Sequence, residues 1–333
     1  MTTAVDAFVS LMLVVGAGIA PPRAAAEDHP RKGPLKVFIL AGQSNMEGQG
    51  VVDLDHPQYY NGGKGTLEQV MRDPAKARRL AHLKDDAGNW VVRDDVWVRF
   101  RTGQGLKKGP LTIGFTGYEG RHHIGPELQF GHVVGDALGE QVLLVKTAWG
   151  GKSLVKDFRP PSSGGETGPY YRKMLQEVRE ALDNLAEDFP AYGDRGYEIA
   201  GFVWLQGWND MVDAQARAEY EQNLVNLIKD VRKAWKKPDL PVVIGELGNG
   251  GPDAGPSMLA IRKAQAAAAA RPEFKGSVVF VETTGFARPR EQSPNVGHGH
   301  HWFGNAESYF LIGDALGRAM TERLASGARR GRQ

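Results

Sequence analysis

The 333-residue chain reads as a three-layer, doubly wound α/β domain of flavodoxin-like type, built on a mostly parallel five-stranded sheet. Three observations predict this. Short apolar runs alternate with longer segments of helical period, the pattern of a parallel sheet covered on both faces by helices. The composition is that of an ordinary globular domain, 41% hydrophobic and 24% charged. One long stretch, from about Gly48 to Gly125, breaks the rhythm and reads as an insertion, with no interior linker to mark a second domain.

In chain order, residues 1–26 read as a secretory signal peptide. The apolar run Ala7 to Ala20 has the length of a signal h-region and is too short for a comfortable membrane span, and Ala24-Ala25-Ala26 before Glu27 resembles a small-residue cleavage site. Its n-region carries Asp6 and no Lys or Arg. Residues 27–34 form a linker to the domain, which spans 35–325. The first strand runs from Leu35 to Ala41. The insertion that follows is rich in Gly, Asp, His and aromatics and offers one extended piece, Val96 to Arg101. A helix opening near Pro126 shows Leu128, Val134 and Leu138, and leads to the second strand, Val142 to Thr147. After the Pro/Gly/Ser loop from Pro160 to Gly168, Tyr171, Leu175, Val178, Leu182 and Leu185 recur at three-to-four spacing on a second helix. The third strand, Ile199 to Leu205, precedes a helix with Tyr220, Leu224, Leu227, Val231 and Trp235. The fourth strand, Pro241 to Gly245, precedes an alanine-rich helix around Ile261 to Ala270. The fifth, Val278 to Glu282, leads toward a last helix over Asn305 to Leu324, with Phe310, Ile312, Leu316 and Met320 for burial. Residues 326–333, with Arg329, Arg330 and Arg332, read as a solvated, disordered tail.

Charge and cysteine content exclude several classes. Lys plus Arg total 41 against 39 for Asp plus Glu, a net charge of +2, which provides no field for steering onto nucleic acid or anionic membrane. The expected partner is therefore neutral. The absence of cysteine excludes a disulfide framework, a cysteine nucleophile and a thiolate metal site. No later apolar run reaches about 18 residues, so no integral membrane segment is expected after signal cleavage. Oligomeric state has no signal in the sequence.

In open α/β sheets the ligand sits beyond the carboxyl ends of the strands, and four segments there carry chemistry. After the first strand comes Gly42-Gln43-Ser44-Asn45-Met46, where glycine permits a tight turn that lifts a serine to the opening of a helix. A serine hydroxyl needs a base to become a nucleophile, and Ser44 alone reads equally well as a helix cap. Met46 stands where a G-x-S-x-G elbow has its last glycine. After the second strand, Gly150 and Gly151 either let backbone N–H groups approach a ligand or simply form a tight turn. After the third, Asn209 either aims its amide at a developing oxyanion or, like Asp210, caps the next helix. The fourth segment, Gly297 to Glu307, holds His298, His300 and His301; a histidine here can supply the base for Ser44, while three histidines in four residues also resemble a metal cluster. His122, His123, His132 and Glu127 read as surface or satisfied core residues.

Taken together, Ala41-Gly42-Gln43-Ser44-Asn45-Met46, Gly125-Pro126-Glu127-Leu128, Trp149-Gly150-Gly151, Gly207-Trp208-Asn209-Asp210 and His301-Trp302-Phe303-Gly304-Asn305-Ala306-Glu307 resemble the SGNH hydrolase superfamily. The likeness is to its sialate O-acetylesterase-like and acetyl xylan esterase-like carbohydrate esterases, over roughly residues 35–325. The resemblance implies Ser44 as nucleophile, His301 as base, and an oxyanion hole of the Ser44 N–H, the Gly151 N–H (Gly150 as fallback) and the Asn209 side chain. It implies no cofactor and an acetylated poly- or oligosaccharide as substrate. Most superfamily members place an orienting aspartate three residues before the histidine; that position is His298 here. Glu282 and Glu291 remain candidates for the acid, alongside a Ser–His dyad. Two other readings stay open: a catalytically impaired carbohydrate-binding relative, and a metal-dependent hydrolase built on the 298–301 histidines.

Overall fold

Apolar side chains alternating to both faces of one strand decide the centre of the molecule. On β1 (Leu35–Gly42), Val37 and Ile39 enter one hydrophobic cluster while Phe38 and Leu40 enter a second on the opposite face. A strand buried on both faces belongs in the middle of a parallel sheet. The computed structural model describes residues 33–330; the expected signal peptide and nearly all of the linker 27–34 lie outside the described residues.

The other strands are β2 (Gly50–Val51), β3 (Arg93–Thr102), β4 (Gly105–Leu111), β5 (His123–Ile124), β6 (Val142–Ala148), β7 (Tyr197–Leu205), β8 (Val242–Gly245) and β9 (Val278–Val281). The helices that matter for the site are α1 (Ser44–Glu47), α2 (Leu67–Arg72), α3 (Pro74–Leu80), α4 (Glu127–Ala137), α5 (Pro169–Asp183), α6 (Leu185–Asp188), α7 (Trp208–Met211), α8 (Ala214–Ala234), α9 (Pro256–Ala269) and α10 (Ala306–Arg330). The main sheet runs β4-β3-β6-β1-β7-β8-β9. All neighbours are parallel except β3 and β4. Residues of α5, α8 and α9 fill one face and residues of α4 and α10 the other, giving three layers.

The five expected strands form, but the sheet has seven. The insertion contributes the extra two. Val96, Val98 and Phe100 are buried, and β3 pairs in parallel with β6. Its hairpin partner β4, sequence GLKKGPL, closes the edge, a position that tolerates Lys and Pro because one side of the strand has no ladder to complete. At the other end of the chain, α10 continues to Arg330, into the stretch 326–333 that composition marks as a tail. Among the described residues no helix is long and apolar enough to cross a membrane.

Candidate active site

Three strand ends meet at the site. Gly42 on β1 pairs across to Ala148 on β6 and to Leu205 on β7, so the segments leaving these strands lie side by side. Gly42 has φ +155°, and a Cβ there would lie 2.1 Å from the Leu205 carbonyl oxygen. Only glycine brings the two chains this close.

The next residue, Gln43, accepts through Oε1 from both the Gly207 and Trp208 N–H groups, each at 3.0 Å. It thereby fastens the turn carrying Asn209 to the turn carrying Ser44. Asp210, fully buried, accepts from the Leu154 and Val155 N–H groups and from Gln206 Nε2. Its carboxylate ties the same turn to the loop after β6. Burial lifts Asp210 to about 6, against those hydrogen bonds. Neither Asn209 nor Asp210 caps a helix: α8 is capped by Asp213, which accepts from the Ala216 N–H.

Ser44 opens α1 without a capping bond to the helix; its Oγ lies 2.9 Å from His301 Nε2. The serine is 7% exposed. Asn45 Nδ2 donates to the His300 carbonyl, while Tyr309 donates its hydroxyl to Asn45 Oδ1 and also lies 3.2 Å from the His301 carbonyl. Asn249 Nδ2 donates to the Gly299 carbonyl. These bonds hold a loop in which Trp302 and Phe303, directly after the histidine, adopt φ +53°, a conformation that persists only when its surroundings impose it.

Burial first, then His300 and His298, push His301 down to about 3. The ring is therefore neutral near pH 7 and its Nε2 can accept a proton. His298 stands edge-on to it, ring centroids 6.0 Å apart. Glu282 and Glu291, the two candidate acids, lie exposed. Among the described residues neither they nor any other carboxylate hydrogen-bonds the His301 ring, and no group of three or more His, Cys, Asp or Glu converges as a metal-ligand set.

Gly151 follows β6 at the surface with φ +72°, and Asn209 is half-buried on α7. Among the described residues, the Ser44 N–H, the Gly151 N–H and the Asn209 side-chain amide have no hydrogen-bond partner. Gly150 differs: its N–H acts on the Glu47 carboxylate, whose Oε2 would lie 3.3 Å from a Cβ at Gly150. Burial raises the Glu47 carboxyl above its usual range, against the pull of Lys146 and that N–H. Lys146, buried on β6, donates to the Glu47 carbonyl at 3.0 Å, to Phe115 O at 2.6 Å and to Glu127 Oε2 at 2.8 Å. Glu127 is thus a satisfied core residue, as its sequence context suggests. His122 pairs with Asp53 at the surface, and His132 is buried beside Arg93.

Sequence reasoning assigned no role to Gln43, Asn45, Glu47, Lys146, Asn249 or Tyr309. Gln43 and Asn45 were visible only as neighbours of Ser44.

Residues 34–322 match the family described as carbohydrate esterase, sialic acid-specific acetylesterase. The probable carbohydrate esterase At4g34215 of Arabidopsis thaliana is 25% identical over 241 residues, 71% of this chain and 78% of that protein. An X-ray structure of the Arabidopsis thaliana protein AT4G34215 superposes with a TM-score of 0.55 at 19% identity, over 87% of this chain and 98% of that one, a likeness of fold. The carbohydrate acetylesterase XAC1771 of Xanthomonas citri aligns at 14% identity and a TM-score of 0.47, over 85% of this chain and 56% of that one. With a match that spans nearly the whole described domain, the chain belongs to the sialic acid-specific acetylesterase family of carbohydrate esterases and is a carboxylic ester hydrolase.

Proposed function

We propose that this esterase removes small acyl groups, acetyl foremost, from a carbohydrate through a covalent acyl-enzyme on Ser44. The observation that carries the reading is the 2.9 Å approach of Ser44 Oγ to His301 Nε2, within the reach a general base needs. His301 takes the hydroxyl proton as Oγ attacks the ester carbonyl. The charge that develops on the carbonyl oxygen is met by the Ser44 N–H, the Gly151 N–H and the Asn209 amide, three donors without internal acceptors. Gly151 is favoured over Gly150 because the Glu47 carboxylate lies against Gly150, its Oε2 3.3 Å from where a Cβ would stand, whereas a Cβ at Gly151 would meet nothing within 4 Å among the described residues. The sugar oxygen leaves with the proton held by His301. Water then gives a proton to the same nitrogen as it attacks the acyl-enzyme, and His301 returns that proton to the departing Ser44 Oγ, releasing the carboxylic acid and regenerating Ser44 and the neutral imidazole.

Acetate release from acetylated xylans, sialosides and pectins, with p-nitrophenyl acetate as a small comparator, tests this. Ser44→Ala and His301→Ala each lower kcat/KM by about a thousandfold or more. Wild-type turnover no faster than Ser44→Ala would overturn the esterase reading in favour of a carbohydrate-binding role. Fluorophosphonate labelling of Ser44, with activity that persists in chelator, separates the serine route from a metal-dependent one. The enzyme is exported, on the strength of the features of residues 1–26; mass spectrometry of the secreted protein is expected to find Glu27 at its amino terminus.

A further inference from the structure

The aromatic residues of the insertion divide into two groups. Trp97 and Phe115 are buried in the two cores on opposite faces of the sheet, and Trp90 packs against the core that holds Phe115, beneath Lys84. Tyr59 and Tyr118 stay at the surface, 64% and 40% exposed. Tyr59 lies against His56 on an exposed turn. Tyr118 is held quite differently.

One face of the Tyr118 ring lies on His123, centroids 4.0 Å apart and planes within 20°. Its hydroxyl donates to Gln49 Oε1 at 2.5 Å, and its backbone carbonyl takes the Lys107 ammonium at 2.5 Å. Gln49 in turn donates through Nε2 to the Ser44 carbonyl at 3.4 Å. The neighbouring Gly117 lies against Glu47: a Cβ there would be 2.7 Å from Glu47 Oε1. His123 itself sits on β5, which pairs with β2 directly after Gln49. The ring is therefore fastened at its edge, beneath one face and through its backbone, and the anchors at Gln49 and His123 lead back to the segment that opens with Ser44. A surface ring needs no such fixing merely to be solvated. Fixed in advance, it loses little rotamer freedom when something stacks on it.

We propose that Tyr118 is the floor of a sugar subsite beside Ser44, its uncovered face stacking against the apolar C–H face of a pyranose ring in the acylated carbohydrate. The inference rests on the esterase reading above. His123 supports it from below: burial holds that imidazole down to about 4, so the layer beneath the ring carries no charge at neutral pH.

The test is a ratio measured within each variant: kcat/KM on the best substrate among acetylated xylan, sialoside and pectin, divided by kcat/KM on p-nitrophenyl acetate. Loss of folded protein cancels from this ratio. Tyr118→Ala is expected to lower it about tenfold, the scale of one aromatic stacking contact, chiefly through KM, whereas Tyr118→Phe keeps the ring and holds the ratio within about twofold. Tyr197→Ala, at a ring no less exposed than Tyr118 but at the amino end of β7, leaves the ratio unchanged. A ratio unmoved in Tyr118→Ala overturns the subsite, as does an equal fall in Tyr118→Phe, which would put the effect in the hydroxyl tether, or a fall in Tyr197→Ala. Wild-type enzyme without Ser44-dependent turnover of either substrate overturns the esterase reading itself, a result distinct from an unchanged ratio in an active enzyme.

Discussion

With no carboxylate bonded to its ring among the described residues, His301 is held in its neutral form by burial and by two neighbouring histidines, all of which disfavour the imidazolium and make the ring a weaker base than a free histidine. The same arrangement keeps the ring neutral and ready to accept a proton well below pH 7. The acid limb of kcat/KM is therefore expected far below the ordinary histidine value of 6.5, toward about 3. His298→Asp puts a negative charge at the position His298 now holds, 6.0 Å between ring centroids. It should raise the His301 pKa, move the acid limb to higher pH and raise kcat/KM about tenfold or more. A pH–rate profile that does not move contradicts this account. The segments holding Ser44, Gly151, Asn209 and His301 were legible as strand-end segments after apolar runs, while the roles proposed for these residues came from the family resemblance of the blocks taken together. Gln43, Asn45 and Tyr309 were not, because polar residues of this kind acquire meaning only from partners 164 or 264 positions away.

Helix α1 is only four residues long and cannot hold itself in place. Lys146 secures its far end through the Glu47 carbonyl, while Glu127 neutralises the ammonium in a pair with both side chains at 0% exposure. Removing one partner strands the other charge in the core. Lys146→Met is expected to cost about 3–5 kcal/mol in urea denaturation, and Lys146→Met with Glu127→Leu to recover much of that loss. A single-variant cost below about 1 kcal/mol would contradict the role assigned to the pair. The five central strands were readable because burial on both faces makes them short apolar runs. The edge strand β4 was not: in Gly105–Leu111, Lys107, Lys108, Gly109 and Pro110 leave no apolar alternation to detect, and only the hairpin with β3 makes the segment a strand. Lys146 hid in the opposite way, as a lysine inside an apolar run.

Among the described residues, His301, His123 and Asp210 are buried titrating groups that act on the response to acid in opposite senses. Burial holds His301 down to about 3 and His123 to about 4, whereas both titrate near 6.5 in the unfolded chain. As the pH falls below 6.5 protons bind the unfolded chain first, so acidification toward pH 4 favours unfolding. Asp210 works in the opposite direction: lifted to about 6 from 3.8, it is more favourable folded as the pH falls through that window. Glu47 and Glu177, also raised by burial, act with Asp210, but His301 is displaced furthest, and the thermal midpoint is expected to fall between pH 6.5 and 4; a level or rising midpoint contradicts this. The bond between Ser44 and His301 spans 257 positions, and that separation also has a meaning in time. A ribosome working at its usual pace completes Ser44 on the order of tens of seconds before His301. Throughout that interval the serine lacks the histidine proposed as its base, and the Asn45 and Tyr309 contacts that seat that histidine's loop do not exist. On the proposed route, catalysis waits until the segment carrying His301 has been made and has folded against Ser44.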